Sequence, residues 1–320
     1  MNVLLVHSGN AVNSSSEYTF VKEQGEALAS LGLHVFYYAI KGRGVRGYFS
    51  SLPGLKRAIS DNRINLVHAH YGLCGALCVL QRKVPVVITF HNGETLTRKG
   101  RVISSLAARF SAYNIFVAQH IHDGLYRIPG EYSILPCGID LGRLEPMTKT
   151  EAITAIGLPT DIPNILFGGS FSNSRKNFPL AKEAISRLHY KVNLIEMKGF
   201  SKEQVRYLLY GCDMLLLPTK SEGSPQVVKE ALACNCPIIA TQVADIPYLL
   251  SGVTNTYVTG FDADEIASRI DRILQNRGRS NGRERILQLK LDNPQVAETL
   301  LFIYQSILLK VKKKKSDETE

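Results

Sequence analysis

Two α/β domains, each a Rossmann-like parallel sheet flanked by helices, are what this chain of 320 residues predicts. Three observations carry that expectation. Short, nearly all-apolar runs recur along the chain, among them Val3 to Val6, Leu66 to His70, Ile165 to Gly168 and Met214 to Leu217. Such runs mark strands buried on both faces of a parallel sheet. Segments of helical periodicity separate them, so strand and helix alternate. An apolar fraction of 45% over this length fills two cores, at roughly 100 to 200 residues per domain.

The first domain is expected over residues 1–147. Val3 to Val6 opens it as a buried strand, Tyr18 to Leu31 is an amphipathic helix stopped by Gly32, and His34 to Ile40 is the second strand. The connecting loop, His7 to Ser16, is rich in Gly, Asn and Ser. Gly42 to Gly47 reads GRGVRG and matches the GxGxxG pattern of dinucleotide sites, but it follows the second strand, and the next acid, Asp61, lies in a turn. Its placement therefore argues against NAD. Arg43 and Arg46 remain either phosphate ligands or exposed loop cations.

Leu66 to His70 places His68 and His70 on one face at a strand's carboxyl edge, where open α/β sheets bind ligands. The carboxylate and later histidines that a metal-dependent hydrolase needs have no matching spacing, which leaves His70 as an acceptor contact or a structural histidine. Val84 to Phe90 is the next strand, and His91-Asn92-Gly93-Glu94 forms the loop at its end. Ile115 to Ala118 and Ser133 to Asp140 close the domain, and polar Glu145 to Thr150 marks a boundary.

The second domain is expected over 148–290, with strands Ile165 to Gly168 and Val192 to Met197 and helices Pro179 to Leu188 and Lys202 to Gly211. The run Gly169 to Asn177 is a long loop carrying Arg175 and Lys176. The segment DMLLLPTKSEGSPQVVKEALACNCPIIATQVADIP, Asp213 to Pro247, then holds the chemistry. Met214 to Leu217 is a strand and Thr219 to Ser224 a loop. Pro225 is expected at the first helical position behind Ser224 as N-cap, and the helix ends near Cys234 before a strand at Pro237 to Ala240. Helix Asp264 to Gln275, a polar basic break at Arg277 to Arg285 and helix Pro294 to Lys310 follow. Residues 291–320 are expected to return to the first domain as a closing helix with a basic, disordered tail.

Glu222 precedes a helix whose free N–H groups can hold a diphosphate. Glu230 lies eight residues on, about 12 Å away were the interval helical, a spacing suited to gripping two ends of one ligand. The plain alternative is a loop acid and a solvated helix acid.

SEGSPQVVKEALACNCPIIAT, with Glu222 and Glu230 in an E-x7-E arrangement, resembles the donor site of retaining, nucleotide-sugar-dependent glycosyltransferases of family 4. The resemblance implies a GT-B fold, with Glu222 on the donor sugar, the Gly223, Ser224, Pro225 and Gln226 segment near sugar and phosphate, and Glu230 on the ribose. Lys176 matches a diphosphate-binding lysine. Ser170 stands where the family has an arginine, and Arg175 is the substitute. Thr89-Phe90-His91 matches T-x-H-G, placing His91 against the donor, with Asn92 where the family has Gly. Cys137-Gly138-Ile139-Asp140 resembles P-N-G-x-D with Cys137 for Asn. Gly9 is what remains of a Gly-Gly phosphate turn.

Six scattered cysteines without paired spacing point to free thiols in a reducing compartment. Residues 1–150 carry 16 Lys and Arg against 9 Asp and Glu, and Lys310 to Lys315 adds five lysines to a net charge of +10. Such a balance suits anionic lipid, a lipid-diphosphate acceptor or nucleic acid, and by itself chooses none of them. No apolar run reaches membrane-span length and no secretion signal is visible, so a cytoplasmic protein is expected, at the inner face of the membrane if the basic tail docks there.

The resemblance implies a retaining glycosyltransferase of hexosyltransferase type. It moves a sugar from a nucleotide-diphospho-sugar to a glycan or lipid-linked acceptor, in surface or capsular polysaccharide or lipopolysaccharide synthesis. No metal, separate cofactor or nucleic-acid partner is expected. An epimerase or phosphorylase on the same fold, or a non-catalytic nucleotide-sugar-binding partner of a polysaccharide assembly, stays open.

Overall fold

The computed structural model describes all residues except 10–14, 43, 127, 129 and 318–320, and side chains except also those of 15–19, 44–46, 314 and 315. Most of the glycine-rich loop after the first strand, the side chains of Arg43 and Arg46, and those of Lys314 and Lys315 thus lie outside the described residues. The chain divides into two compact units, Met1–Gly138 with Asn293–Glu320, and Ile139–Asp292. Both are α/β with a wholly parallel sheet.

The first sheet has six strands, β1 (Asn2–Ser8), β2 (His34–Ile40), β3 (Leu66–His70), β4 (Val86–Phe90), β5 (Tyr113–Phe116) and β6 (Tyr132–Ile134), in the order β2-β1-β3-β4-β5-β6. Alternation splits its apolar residues between two cores. Leu4, Val6, Val67, Ala69, Ile88 and Phe90 face one side, where Leu55, Cys74 and Ala107 cover them. Val3, Leu5, Leu66, Val87 and Ile115 face the other and meet Val21 and Leu28 with Val296, Leu300, Ile303 and Tyr304.

The last four belong to the closing helix Asn293–Asp317. That helix runs past Lys310, where a disordered tail was expected. Lysine is a good helix former, and lengthening a packed helix adds one hydrogen bond per residue without a new nucleus.

The second sheet has five strands, β7 (Asn164–Phe167), β8 (Asn193–Glu196), β9 (Met214–Leu217), β10 (Ile238–Thr241) and β11 (Thr256–Thr259), in the order β11-β10-β9-β7-β8. Its central strands β7, β9 and β10 are wholly buried. Residues 139–147 pack in this unit, where Ile139 N–H donates to Leu291 O at 2.8 Å and the Tyr210 hydroxyl to Leu144 O at 3.2 Å.

Arg277 to Arg285, expected as a polar break, instead includes the first turn of the helix Gly282–Gln288. Arg279 donates to the carbonyls of Leu209, Cys212 and Cys234, and Arg283 to those of Leu141, Leu144 and Ala233. A methyl group on Gly282 would lie 2.6 Å from Leu232 Cα, so glycine is what lets this helix touch the helix Gln226–Ala233. Its charge therefore works as an internal clamp.

Both sheets reverse direction of growth once, between β1 and β3 and between β7 and β9. In open α/β sheets ligands bind at the carboxyl edge beside such a switch point.

Candidate functional site

In the second unit the switch point joins two loops. After β7, Gly168 and Gly169 lead to a single 3-10 turn, Ser174–Lys176, and Asn177 at φ 58° turns the chain into the helix Phe178–Ser186. After β9 come Thr219 to Ser224. The loops are stitched together: Lys220 N–H donates to Arg175 O at 2.8 Å and the Thr219 hydroxyl to the same oxygen at 3.0 Å. This fixes Lys176 opposite Glu222. Lys176 Nζ donates to Glu222 Oε1 at 2.6 Å, and the Thr219 hydroxyl bonds that oxygen at 2.9 Å. Gly169 leaves room for the lysine stem, since a methyl group there would lie 2.7 Å from Lys176 Cγ. Both charged side chains are mostly buried, so their attraction is screened less than on an open surface.

Arg175 is exposed, its carbonyl rather than its guanidinium engaged in the stitch. Ser170, standing where the resembled pattern has arginine, donates to Glu196 Oε1 at 2.7 Å, as does Phe171 N–H at 2.7 Å. A cation at 170 is thus replaced by a hydroxyl tied to a carboxylate.

Ser224 was expected to cap the following helix with Pro225 inside it. The helix begins instead at Gln226, with Pro225 extended at ψ 117° as the cap residue. Proline lacks the N–H that a helix start leaves unbonded, so it fits either position. Ser224 Oγ is buried without a hydrogen-bond partner among the described residues, a polar group available to a ligand beside Gly223 and Gln226.

Glu230, one turn from the end of that helix, receives Arg143 Nη2 at 3.2 Å. Sequence reasoning missed Arg143. It is 87 residues from Glu230, and no local pattern links them.

In the first unit, Gly9 approaches β2 so closely that a methyl group there would lie 2.8 Å from Ile40 O. Beside it a histidine cluster fills the carboxyl edge. His68 and His70 stack at 4.7 Å between ring centroids on one face, as alternation requires, and His70 stacks on His91 at 5.4 Å. His68 is fully satisfied: Nδ1 bonds the Tyr304 hydroxyl at 2.6 Å and Nε2 the Thr89 hydroxyl at 2.7 Å. Burial holds its pKa down at about 3 and pushes that of His70 the same way, so both rings are neutral at pH 7.

His70 Nδ1 lies 3.1 Å from His91 Nε2, and Phe20 and Tyr71 pack against the His91 ring at 4.9 and 4.7 Å. Cys137 Sγ lies 3.9 Å from His91 Nδ1.

Glu94, fully buried, was not singled out from the sequence as a site residue. Its carboxylate accepts from the N–H groups of Gly72, His91 and Asn92, and so shapes the loop that presents His91. An acid four residues past a strand end, able to reach back to the N–H groups of the intervening loop, is the signal that marks such a role. Asn92 has φ 114°, a conformation glycine adopts more freely, which fits the glycine of the resembled pattern.

A hollow of about 970 Å³ opens at the other, amino-terminal edge of the second sheet. Lys149 there is paired with Asp213 and Tyr190 with Asp271. Size favours that hollow as a binding site, but chemistry favours the switch point, where charged groups converge beside the start of the helix Gln226–Ala233. Among the described residues, no helix is long and apolar enough to cross a membrane.

A sequence model described as Glycosyltransferase Family 4 matches residues 19–143, and one described as Glycosyl transferases group 1 matches residues 179–276. A protein of Bacillus subtilis named for teichuronic acid biosynthesis, the glycosyltransferase TuaC, is 28% identical over 272 residues, covering 71% of this chain and 70% of its own. A D-inositol 3-phosphate glycosyltransferase of Mycobacterium marinum is 24% identical over 68% of this chain and 57% of its own length.

Among solved structures, sucrose-phosphate synthase of Thermosynechococcus elongatus superposes with a TM-score of 0.80 at 17% identity, covering 97% of this chain and 99% of that one. Anabaena HepE in complex with UDP and glucose does so at 0.77 and 11%, covering 96% and 100%. At such identities these structures speak for the fold alone.

Proposed function

We propose that this chain, which belongs to the GT-B glycosyltransferases of family 4, is a retaining enzyme that transfers a sugar from a nucleotide-diphospho-sugar to a glycan or lipid-linked acceptor. The observation that carries the proposal is the Lys176–Glu222 pair at the switch point of the second sheet, with Glu230 along the next helix. A donor lying along this edge meets a cation at its diphosphate, a carboxylate at its sugar and a second carboxylate at its ribose.

Bond breaking to the diphosphate is the hard step. Negative charge grows on the leaving oxygens, and Lys176, Arg175 and the N–H groups opening the helix Gln226–Ala233 are the groups that stabilise it. The diphosphate competes with Glu222 for Lys176, and the released carboxylate is then available to sugar hydroxyls. Glu230 accepts from the ribose, with Arg143 setting its orientation. By the family pattern we also assign His91 and Gly9, in the first unit, to donor binding. In this scheme the diphosphate charge is met by side chains and helix N–H groups rather than by a metal.

That TuaC is named for teichuronic acid biosynthesis supports our reading of an acceptor in surface polysaccharide assembly, which we place at the inner face of the cell membrane.

A panel of UDP-, GDP- and ADP-sugars, screened by thermal stabilisation of wild type and Glu230→Ala, tests the donor site. One nucleotide sugar should raise the wild-type melting temperature, and the variant should lose most of that gain. Stabilisation by NAD, or by none of the panel, would overturn the reading. Turnover of the donor without an acceptor would instead mark an epimerase, and donor binding without transfer a non-catalytic partner.

A further inference from the structure

We infer that the outer face of the helix Arg98–Phe110, in the first unit, is a docking surface for an anionic lipid bilayer. The helix is inverted relative to an ordinary surface helix. Its buried side is made of small residues, Ser104, Ala107 and Ala108, and a methyl group on Gly72 would lie 2.0 Å from Ser104 Oγ, so the helix sits close against its neighbour. Its large apolar residues point outward instead: Val102 is 42% exposed, Leu106 53% and Phe110 68%. Spaced four apart, they form one stripe along about 12 Å of helix. Leu96 just before the helix is exposed as well, and so is Tyr126, whose N–H donates to Ser105 Oγ. A contiguous apolar face of this kind marks an interaction site.

Charge selects the occupant. The helix carries Arg98, Lys99, Arg101 and Arg109 and no acid. An apolar stripe bordered by cations is the pattern of a helix lying in the headgroup plane of an anionic membrane. A second copy of this chain, presenting the same face, would set like charges opposite one another.

The closing helix packs on the other face of the sheet but ends at the same edge. Ser111, which ends the inverted helix, donates to Asn114 Oδ1, Asn114 N–H donates to Glu131 O, and the Glu131 carboxylate pairs with Lys310. These contacts bring the two helix ends to one edge of the sheet. From there the closing helix extends about 10 Å further to Asp317, with Lys312 and Lys313 exposed. The inverted helix begins a few residues after the loop that presents His91. If the acceptor is lipid-linked, which rests on the transferase reading, docking brings that loop to the lipid surface.

The test is sedimentation of the full chain with vesicles of phosphatidylcholine alone and of phosphatidylcholine mixed with phosphatidylglycerol. Wild type should pellet with the mixed vesicles only, and less so as salt is raised. Leu106→Gln with Phe110→Gln should lower the partition coefficient by about tenfold or more, and each of Lys312→Gln and Lys313→Gln by about fivefold. All four side chains are exposed, so melting temperatures should stay at the wild-type value. Equal binding to neutral vesicles, no binding, or unchanged binding of the Leu106/Phe110 variant overturns the proposal. So does lipid-free dimerisation that this variant abolishes, which would assign the face to a second copy. Donor and acceptor are not needed for this readout, so its failure leaves the transferase reading intact.

Discussion

Glu222 and Lys176 are 18% exposed or less, so removing either leaves a charge in a place where water compensates it poorly. Lys176 is assigned to the leaving group, whose charge peaks in the transition state. Lys176→Ala should therefore lower kcat by about 10²–10³-fold with a smaller change in KM. Glu230→Ala should mainly raise the donor KM, because ribose contacts are alike in ground and transition states. Steady-state kinetics with the stabilising donor separates the two, and an unchanged kcat in Lys176→Ala would remove its role.

His68 makes a different prediction. Its folded pKa of about 3 lies below the ordinary 6.5, so as pH falls below 6.5 the unfolded chain takes up a proton that the folded chain refuses. Stability present above 6.5 is lost on the way to 3, on the order of 5 kcal/mol for the whole interval. His70 acts in the same direction. The urea midpoint should drop between about pH 7 and about pH 5, and His68→Gln should flatten that slope even if it lowers the midpoint at every pH. Glu222, Glu230, Lys176 and His91 were singled out as candidates by local pattern together with the family resemblance. Arg143 and Glu94 were not, because their roles exist only once distant segments, or a loop's own N–H groups, are folded around them.

At the scale of elements, apolar runs and helix periodicity carried most of the information. His34–Ile40, Leu66–His70, Met214–Leu217 and Lys202–Gly211 have the bounds their patterns predicted. Prediction failed where a polar side chain decides the local structure from within the core. Arg277 to Arg285 is an instance, since charge reads as solvent exposure until its acceptors are known. Arg279 serves three carbonyls at the ends of the helices Lys202–Gly211 and Gln226–Ala233, groups that have no further partner inside those helices. Arg279→Met keeps the stem and removes the donors. It should destabilise the second unit by about 2–4 kcal/mol, seen as a lower urea midpoint at unchanged slope. Arg279→Lys should recover only part, because one ammonium does not reproduce the planar fork. Full stability in the methionine variant would mean that those carbonyls reach water.

For the molecule as a whole, α/β class and parallel sheets followed from strand and helix alternation, whereas strand order did not, because the sequence does not encode which runs become neighbours. The switch points that locate the site are a property of that order. The closing helix makes the consequence measurable. Val296, Leu300, Ile303, Tyr304 and Ile307 are buried against β1, β3 and β4 of the first unit, so the last residues of the chain complete a core begun by the first. Five such side chains at about 1.5–3 kcal/mol each contribute roughly 10 kcal/mol. That equals the whole stability of a typical domain, about 5–15 kcal/mol. Tyr304 also bonds the buried His68 ring, so its loss strands a polar group. A chain ending at Asp292 should therefore lose the first unit while the second, whose residues all precede the cut, keeps its fold. Limited proteolysis should then leave a resistant fragment near 139–292, and supplying residues 293–320 as a separate peptide should restore protection to the first unit. If the truncated chain resists proteolysis throughout, the closing helix is an accessory and the first sheet is stable without it.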